Sequence, residues 1–477
     1  MPIVRRMATT ERGVQLPADT TASGLLHSLL QKACEHFDDL RDVKMPESSK
    51  GFRTAFAEVV PAFEAARIAS KNRSAIARRI ALEASSSLVF RDNNGEDQKL
   101  AEYLASDGAT PLATTVVEGR STDGFSLSVP CDGEVHRGPA VAALIDRLER
   151  EHAVTPAAAK ALRWTAERDV DLSGRKIVLM GAGAELAPTP LLLAAGADVL
   201  WIDITEPGYD GKTFRGTLRY VEGGADLLTQ PKEILATIRD FAGDDTISIG
   251  MFAYAAGQGR EWRLEAAMNA IANALPRGSV DAVGLYISPT SAAAVEPDVA
   301  QANEHRKSSA PMWQKMLDKT GALGPAYAEA RGKNVSRAIV PLQGASYQAA
   351  QYIAKALAAE AFATSRRIGT VSANVAGITN TRSMSLPVFQ AGFVGAKLFG
   401  IRIFDPETTR WLSGMLLMHD WLNSEAKFED PRALFERQIH GGVYTSGYQL
   451  IDVIKFAAIY GFARKPSLLA AMARGAK

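Results

Sequence analysis

Gly181 and Gly183 follow the apolar run 177–180, and Asp203, with Ile204 beside it, closes a second apolar run about 20 residues later. Glycines directly after a strand let the backbone turn tightly and approach a pyrophosphate with no Cβ in the way. An acid at the tip of the next strand accepts hydrogen bonds from a ribose diol and repels a 2′-phosphate. The spacing therefore points to a dinucleotide, and to NAD over NADP. A helix starting near 185–188 would turn its free N–H groups toward the phosphates, which sets Glu185 and Leu186 at the cofactor. Leu186 stands where a G-x-G-x-x-G template has its third glycine, so the fingerprint is incomplete.

The elements needed to hold these residues are legible in the same way. Runs at 177–180, 199–202, 218–221, 246–252, 280–288 and 370–375 read as strands, with helices at 231–242, 261–275 and an Ala-rich 345–365 among them. Such alternation implies an α/β fold built on a doubly wound parallel sheet with right-handed crossovers. Residues 1–170 read as a mainly helical domain with a small β-hairpin near 112–130, turning at Asp123-Gly124, and helices near 138–152 and 155–168. Thr155-Pro156 is an N-cap and first-turn pair for the last of these. Residues 171–405 form the dinucleotide-binding domain, with an insertion near 292–340 that reads either as a cap on the site or as an ordinary surface excursion, and 406–477 a helical extension.

With 54 Lys plus Arg against 53 Asp plus Glu, the 477-residue chain has a net charge of +1, so no global field draws nucleic acid or an anionic membrane. Hydrophobic residues at 47% support a large core. Cys34 and Cys131 lie far apart without metal-type spacing, which indicates neither a disulfide framework nor a metal site. The opening Met-Pro-Ile-Val-Arg-Arg-Met-Ala has no apolar leader core, and no apolar run reaches about 18 residues. A soluble cytoplasmic protein with no stable membrane insertion is expected.

Asp226-Leu227 follows the third strand, Ala253-Tyr254-Ala255-Ala256-Gly257 the fourth and Ser288-Pro289-Thr290-Ser291 the fifth, while Asn374-Val375-Ala376-Gly377 leads from the sixth into Thr379 and Thr381. In this order, over about residues 173–405, the chain resembles the short-chain dehydrogenase/reductase superfamily in divergent form. The resemblance implies a Rossmann sheet, with Asp226 and Leu227 receiving adenine and Ala253, Tyr254 and Ala255 beside the nicotinamide ribose. It implies Ser288 as the catalytic serine. Asn374 and Thr379 hold the nicotinamide amide, in a segment that lacks the family's proline. The family's Tyr-x-x-x-Lys is broken, because Gln351 stands four residues after Tyr347 and four before Lys355. Tyr352 and Lys355 are three apart, which on a helix still gives neighbouring surface.

Hydride transfer between an alcohol and a carbonyl needs a positioned proton donor or acceptor at the oxygen. Tyr347 or Tyr352 is the candidate for that role, with Ser288 orienting the oxygen and Lys355 assisting. Arg382, at the carboxyl end of the sixth strand, is the candidate substrate contact. Trp411, Met415, Met418, Trp421, Tyr444 and Tyr448 read first as packing core and otherwise as the wall of a pocket for a bulky apolar small molecule. His419 reads as a hydrogen-bonded core histidine, and His440-Gly441-Gly442 as a loop able to line a pocket. The smooth Ala-rich helix offers a homodimer face by analogy.

An S-adenosylmethionine-dependent methyltransferase also uses a glycine turn and an acid after its second strand, but here Leu179 stands where that motif opens with an acid. A cofactor-binding scaffold without turnover is the reading that the broken tyrosine–lysine pair supports.

Overall fold

The computed structural model describes residues 11–257, 259–365, 368–423 and 433–475; the opening segment read above for a leader core lies outside them. The chain begins with β1 (Gly13–Gln15), α1 (Ala22–His36), α2 (Ser49–Ile68), α3 (Arg73–Ser87), β2 (Val89–Arg91), β3 (Asp97–Lys99) and α4 (Leu100–Ala105). Thr21 and Ser48 start α1 and α2 by accepting the Gly24 and Gly51 N–H groups, which have no helical carbonyl to reach. The periodic residues Leu26, Leu30, Phe52, Val60 and Phe63 are all buried.

Next come β4 (Thr114–Glu118), β5 (Ser128–Cys131), β6 (Glu134–Arg137), α5 (Pro139–Arg150) and α6 (Pro156–Ala166). Thr155 caps α6 by accepting the Ala158 N–H. The hairpin expected at 112–130 does not form. β4 instead joins the central sheet, and the hairpin is β5–β6, where Asp132 and Gly133 both take the positive φ (57° and 80°) that a tight two-residue turn requires.

The alternating region follows as β7 (Lys176–Met180), α7 (Thr189–Ala194), β8 (Asp198–Ile202), β9 (Thr217–Val221), α8 (Pro231–Ala242), β10 (Ile247–Met251), α9 (Arg260–Ala274) and β11 (Val280–Ile287). Between this region and the last strand the insertion folds as β12 (Ala294–Val295), α10 (Pro297–Ser308), α11 (Met312–Lys319), β13 (Tyr327–Ala330) and β14 (Lys333–Ser336), its three strands making a small sheet of their own. The Ala-rich segment is α12 (Gly344–Ala349), a π-helical stretch (Ala350–Leu357) and α13 (Ala358–Ser365), and it leads to β15 (Thr370–Val375). The chain closes with α14 (Pro387–Ala396), α15 (Pro406–Leu422), α16 (Leu450–Arg464) and α17 (Pro466–Gly475).

The result is a mixed α/β architecture around a seven-stranded sheet of order β15-β11-β10-β7-β8-β9-β4, in which only β4 is antiparallel. β7, β8 and β9 step outward in one direction and β10, β11 and β15 in the other, so the strand order reverses between β7 and β10. At such a point the loops on the carboxyl ends diverge and leave a crevice. The Ala-rich segment does not offer the free face expected of it. α1, α3, α9 and the sheet pack against it, Glu64 and Phe63 of α2 meet it at Tyr352, and Tyr352, Ile353, Leu357 and Ala359 are buried within this chain. Among the described residues no helix is long and apolar enough to cross a membrane.

Candidate functional site

A cleft of about 750 Å³ opens at the carboxyl ends of the central strands, at the reversal of strand order. The turn after β7 shapes its floor. Gly181 holds φ +84°, and a Cβ there would stand 2.1 Å from the Ala253 nitrogen; one on Gly183 would stand 3.0 Å from the Trp201 ring and 3.2 Å from Asp203 Oδ2. Only glycine lets this turn lie so close to β8 and β10. Asp203 binds the same turn: its Oδ2 accepts the Gly183 N–H at 2.9 Å, and its Oδ1 accepts from the Thr205 N–H and hydroxyl at 3.3 and 3.2 Å.

α7 starts at Thr189, just past the expected 185–188, and spans six residues. Glu185 and Leu186 therefore line the cleft from a loop rather than from a first helical turn. Arg410 of α15 fixes that loop by donating to the Glu185 carbonyl at 3.1 and 2.7 Å. Ile204, Asp226 and Leu227 also line the cleft, the Asp226 carboxylate accepting the Leu228 N–H at 2.8 Å. Ala253, Tyr254 and Ala255 complete this side of the lining.

A hydroxyl cluster faces into the same space. The Ser288 N–H donates to Gln351 Oε1 at 2.8 Å, Ser288 Oγ lies 2.8 Å from Thr290 Oγ1, and Thr290 donates to Gln343 Oε1 at 2.9 Å. The Tyr347 phenol meets the Ser288 and Thr290 hydroxyls; burial pushes its pKa above the ordinary phenol value, and those hydroxyls oppose the shift only in part. The Tyr254 ring packs edge-on against it, centroids 6.2 Å apart.

Tyr352 is elsewhere. Its hydroxyl donates to Glu64 Oε2 of α2 at 2.6 Å and its ring lies edge-on to Phe63, away from the cleft. Lys355 does line the cleft, but its Nζ is 2.9 Å from Glu265 Oε1 and donates to the Tyr286 carbonyl at 3.0 Å, so it does not meet Tyr352. The π stretch accounts for both corrections. Its wider turns advance each residue by a smaller angle than an α-helix, which drives Tyr352 and Lys355, three apart, onto different sides. The same geometry keeps Tyr347, Gln351 and Lys355, spaced by four, on the cleft side. The pattern Tyr-x-x-x-Gln-x-x-x-Lys was the available signal for this face, and Gln351 the residue it should have added.

Compared with known proteins, the chain matches no family model and no curated relative.

Asn374 is not a cleft residue. It sits within β15, and its amide donates to Ser372 Oγ and Asp420 Oδ2 at 3.0 and 2.9 Å on the side covered by α15. Thr379 does line the cleft, although its hydroxyl is engaged by the Gly377 carbonyl and by Thr409 Oγ1, at 2.8 and 2.7 Å. Arg382 stands at the mouth with its side chain 85% exposed, 3.8 Å from Glu185 Oε2.

The tail aromatics and methionines are packing residues: Met415, Met418, Trp421, Tyr444 and Tyr448 are buried, Trp411 packs against the same core, and none lines the cleft. His419 is 2.9 Å from Asp420 in a buried polar cluster. His440 lies outside the cleft lining; burial lowers its pKa to about 3, and its Nδ1 accepts the Gly442 N–H. Among the described residues no group of three or more His, Cys, Asp and Glu is placed to hold a metal.

Two contributions had no sequence signal. Arg12, Gln15, Arg260 and Arg263 line the cleft, and Arg263 donates to Gln15, so the first strand closes a site built some 200 residues later. Glu265, buried beneath Lys355, is the other. Burial raises its pKa from the ordinary carboxylate range to about 7, and Lys355 opposes that shift. A carboxyl more basic in the folded than in the unfolded chain contributes stability below pH 4.5 that is lost as pH rises to about 7. The protein is therefore expected to lose at most about 3 kcal/mol across that window from this group, on 1.36 kcal/mol per pKa unit. Urea unfolding at pH 5 and pH 8 should show a smaller difference in Glu265→Gln than in the parent; equal differences would remove Glu265 as its source.

Proposed function

We propose that the chain binds NAD in this cleft and moves hydride between the nicotinamide and a carbonyl or alcohol carbon, acting as a reductase at neutral pH. Counted from β7, the sheet runs 3-2-1-4-5-6, the order of the Rossmann dinucleotide fold, with the cleft at its switch point. The observation that carries the reading is that Tyr347, Ser288 and Thr290 converge on the cleft that also holds the glycine turn and Asp203. The residues present suit a dinucleotide. Gly181 and Gly183 leave bare backbone for a pyrophosphate, Leu227 and Ile204 give a purine apolar surface, and Asp203 stands where a ribose diol is held.

NAD, when bound, supplies the hydride donor or acceptor. The chain's own residues manage the oxygen. Tyr347 donates its phenolic proton to the carbonyl oxygen as the alcohol forms, and Ser288, bridged to Thr290, orients that oxygen. Lys355 is ion-paired with Glu265 rather than with Tyr347, and no described Lys or Arg lowers the pKa of the phenol; a protonated phenol suits reduction. Asp203 would share its carboxylate between the turn N–H groups and the ribose, and it disfavours a 2′-phosphate by charge.

Calorimetric titration with NAD, NADP and S-adenosylmethionine tests the reading. NAD is expected to bind at least about tenfold more tightly than the others, and Asp203→Ala to weaken it by about tenfold, one lost charge-assisted contact. Preference for S-adenosylmethionine would move the assignment to methyl transfer, and no binding at all would leave a scaffold.

A further inference from the structure

Beside the hydroxyl cluster lies a second, smaller cavity of about 40 Å³ between α14 and α16. Thr290, Ile378 and Met384 line both spaces, so the small cavity adjoins the cleft where Ser288, Thr290 and Tyr347 meet. Thr290 is the single polar side chain in its lining; the rest is apolar, including Phe389, Ile401, Val453 and Ile454.

The helices that enclose it touch at two glycines. A Cβ on Gly395 would stand 2.1 Å from the Ala457 carbonyl oxygen, and one on Gly461 would stand 1.9 Å from that of Ala391. Gly392 differs: its nearest neighbour to an added Cβ is Ile454 Cγ2 at 3.9 Å, ordinary contact distance, and it lines the cavity. With Thr290 alone to meet it, a water would have fewer than the two to four partners it needs, yet the space has room for a few methylene groups. Met384, half-buried and on a flexible unbranched side chain, is the residue at the junction able to move aside.

We infer that this cavity receives an unbranched alkyl segment of about three or four carbons, attached to the carbonyl or carbinol carbon held at Ser288 and Tyr347. The substrate class is thereby an aliphatic ketone, aldehyde or alcohol with a linear chain. The inference rests on the reductase reading for the position of the reacting carbon, but not for the existence of the apolar subsite.

The test is calorimetric binding of 1-alkanols from methanol to octanol to the full-length protein with NAD present, with NAD binding measured on the same samples. Affinity is expected to rise about fourfold per added carbon, the effect of burying one methylene, over three or four carbons and then level off. Gly392→Leu fills the cavity and should abolish the rise while NAD affinity stays within twofold. Val453→Ala enlarges it and should extend the rise by at least one carbon, which keeps the inference testable if the leucine variant does not fold. A flat series in the parent, an unchanged rise in Gly392→Leu, or an unextended one in Val453→Ala overturns the inference. Failure of NAD to bind while the alkanol series still rises would instead overturn the reductase reading and leave the subsite standing.

Discussion

Tyr347→Phe is expected to lower carbonyl reduction by about 10²- to 10⁴-fold, the range for removing a positioned general acid, with NAD affinity nearly unchanged. The variant deletes one hydroxyl from a cluster in which Ser288 and Thr290 keep each other satisfied at 2.8 Å, so the fold should survive. Tyr352→Phe is the matched control. Its hydroxyl serves Glu64, outside the cleft, and turnover should stay within about threefold while stability drops by about 1 kcal/mol, one buried hydrogen bond. The pH profile adds a second readout. With the Tyr347 phenol raised above its ordinary value by burial, the proton donor is intact through neutral pH, so its loss as a donor should appear only in the alkaline range. A steep decline between pH 6 and 8 that Tyr347→Phe leaves in place would assign the proton to another group, and Glu265, at about 7, would be the first to examine.

The largest stability effect is expected from Arg67→Ala. This guanidinium is 3% exposed and donates to both oxygens of Glu64 at 2.7 and 2.8 Å, and to Glu360 of α13 at 2.9 Å. Arg73 and Ser74 also reach Glu360, at 3.2 and 2.7 Å. Truncating Arg67 strands two buried carboxylates that share four remaining donors at most, and breaking such a pair typically costs about 3–5 kcal/mol. Unfolding in urea measures it directly, and a loss below about 1 kcal/mol would mean that the cluster relaxes or admits water. Because the cluster joins α2 and α3 to the helical segment that carries Tyr347, Gln351 and Lys355, NAD affinity and turnover in the surviving folded protein report whether it also steadies the cleft.

The six parallel strands of the central sheet were legible because they are short apolar runs, most of them closed by glycine, proline or charge, and α8 falls at 231–242 because Pro231 fixes its start and Gly243, at φ +57°, its end. The glycine turn and Asp203 were legible for the same reason: their chemistry is local and their spacing short. What the sequence did not disclose is facing. Tyr347 and Tyr352 sit on one helical segment, and the π stretch that begins at Ala350 changes the angle between successive residues, so a facing read at the α-helical period misplaces Tyr352. Asn374 stands in a strand buried on both faces, where alternation gives no clue to which side covers it. The pairing of Gln15 with Arg263 and of Glu265 with Lys355 joins residues far apart in the chain, and no local pattern encodes such meetings. The Asp123-Gly124 signal failed in competition with Asp132-Gly133, a few residues on, where both left-handed conformations are realised.

The far rim of the sheet is covered in part by the chain itself. The Phe435 N–H donates to the Ala373 carbonyl, the Val375 N–H to that of Arg437 and the Ile439 N–H to that of Val375, so the segment from 435 to 439 covers the carboxyl end of the outer edge of β15. An open parallel edge is a template on which another chain can add a strand. Over its last residues β15 has that template covered from within the chain, while the opposite edge of the sheet ends in β4, a five-residue strand of opposite direction that closes on Glu118.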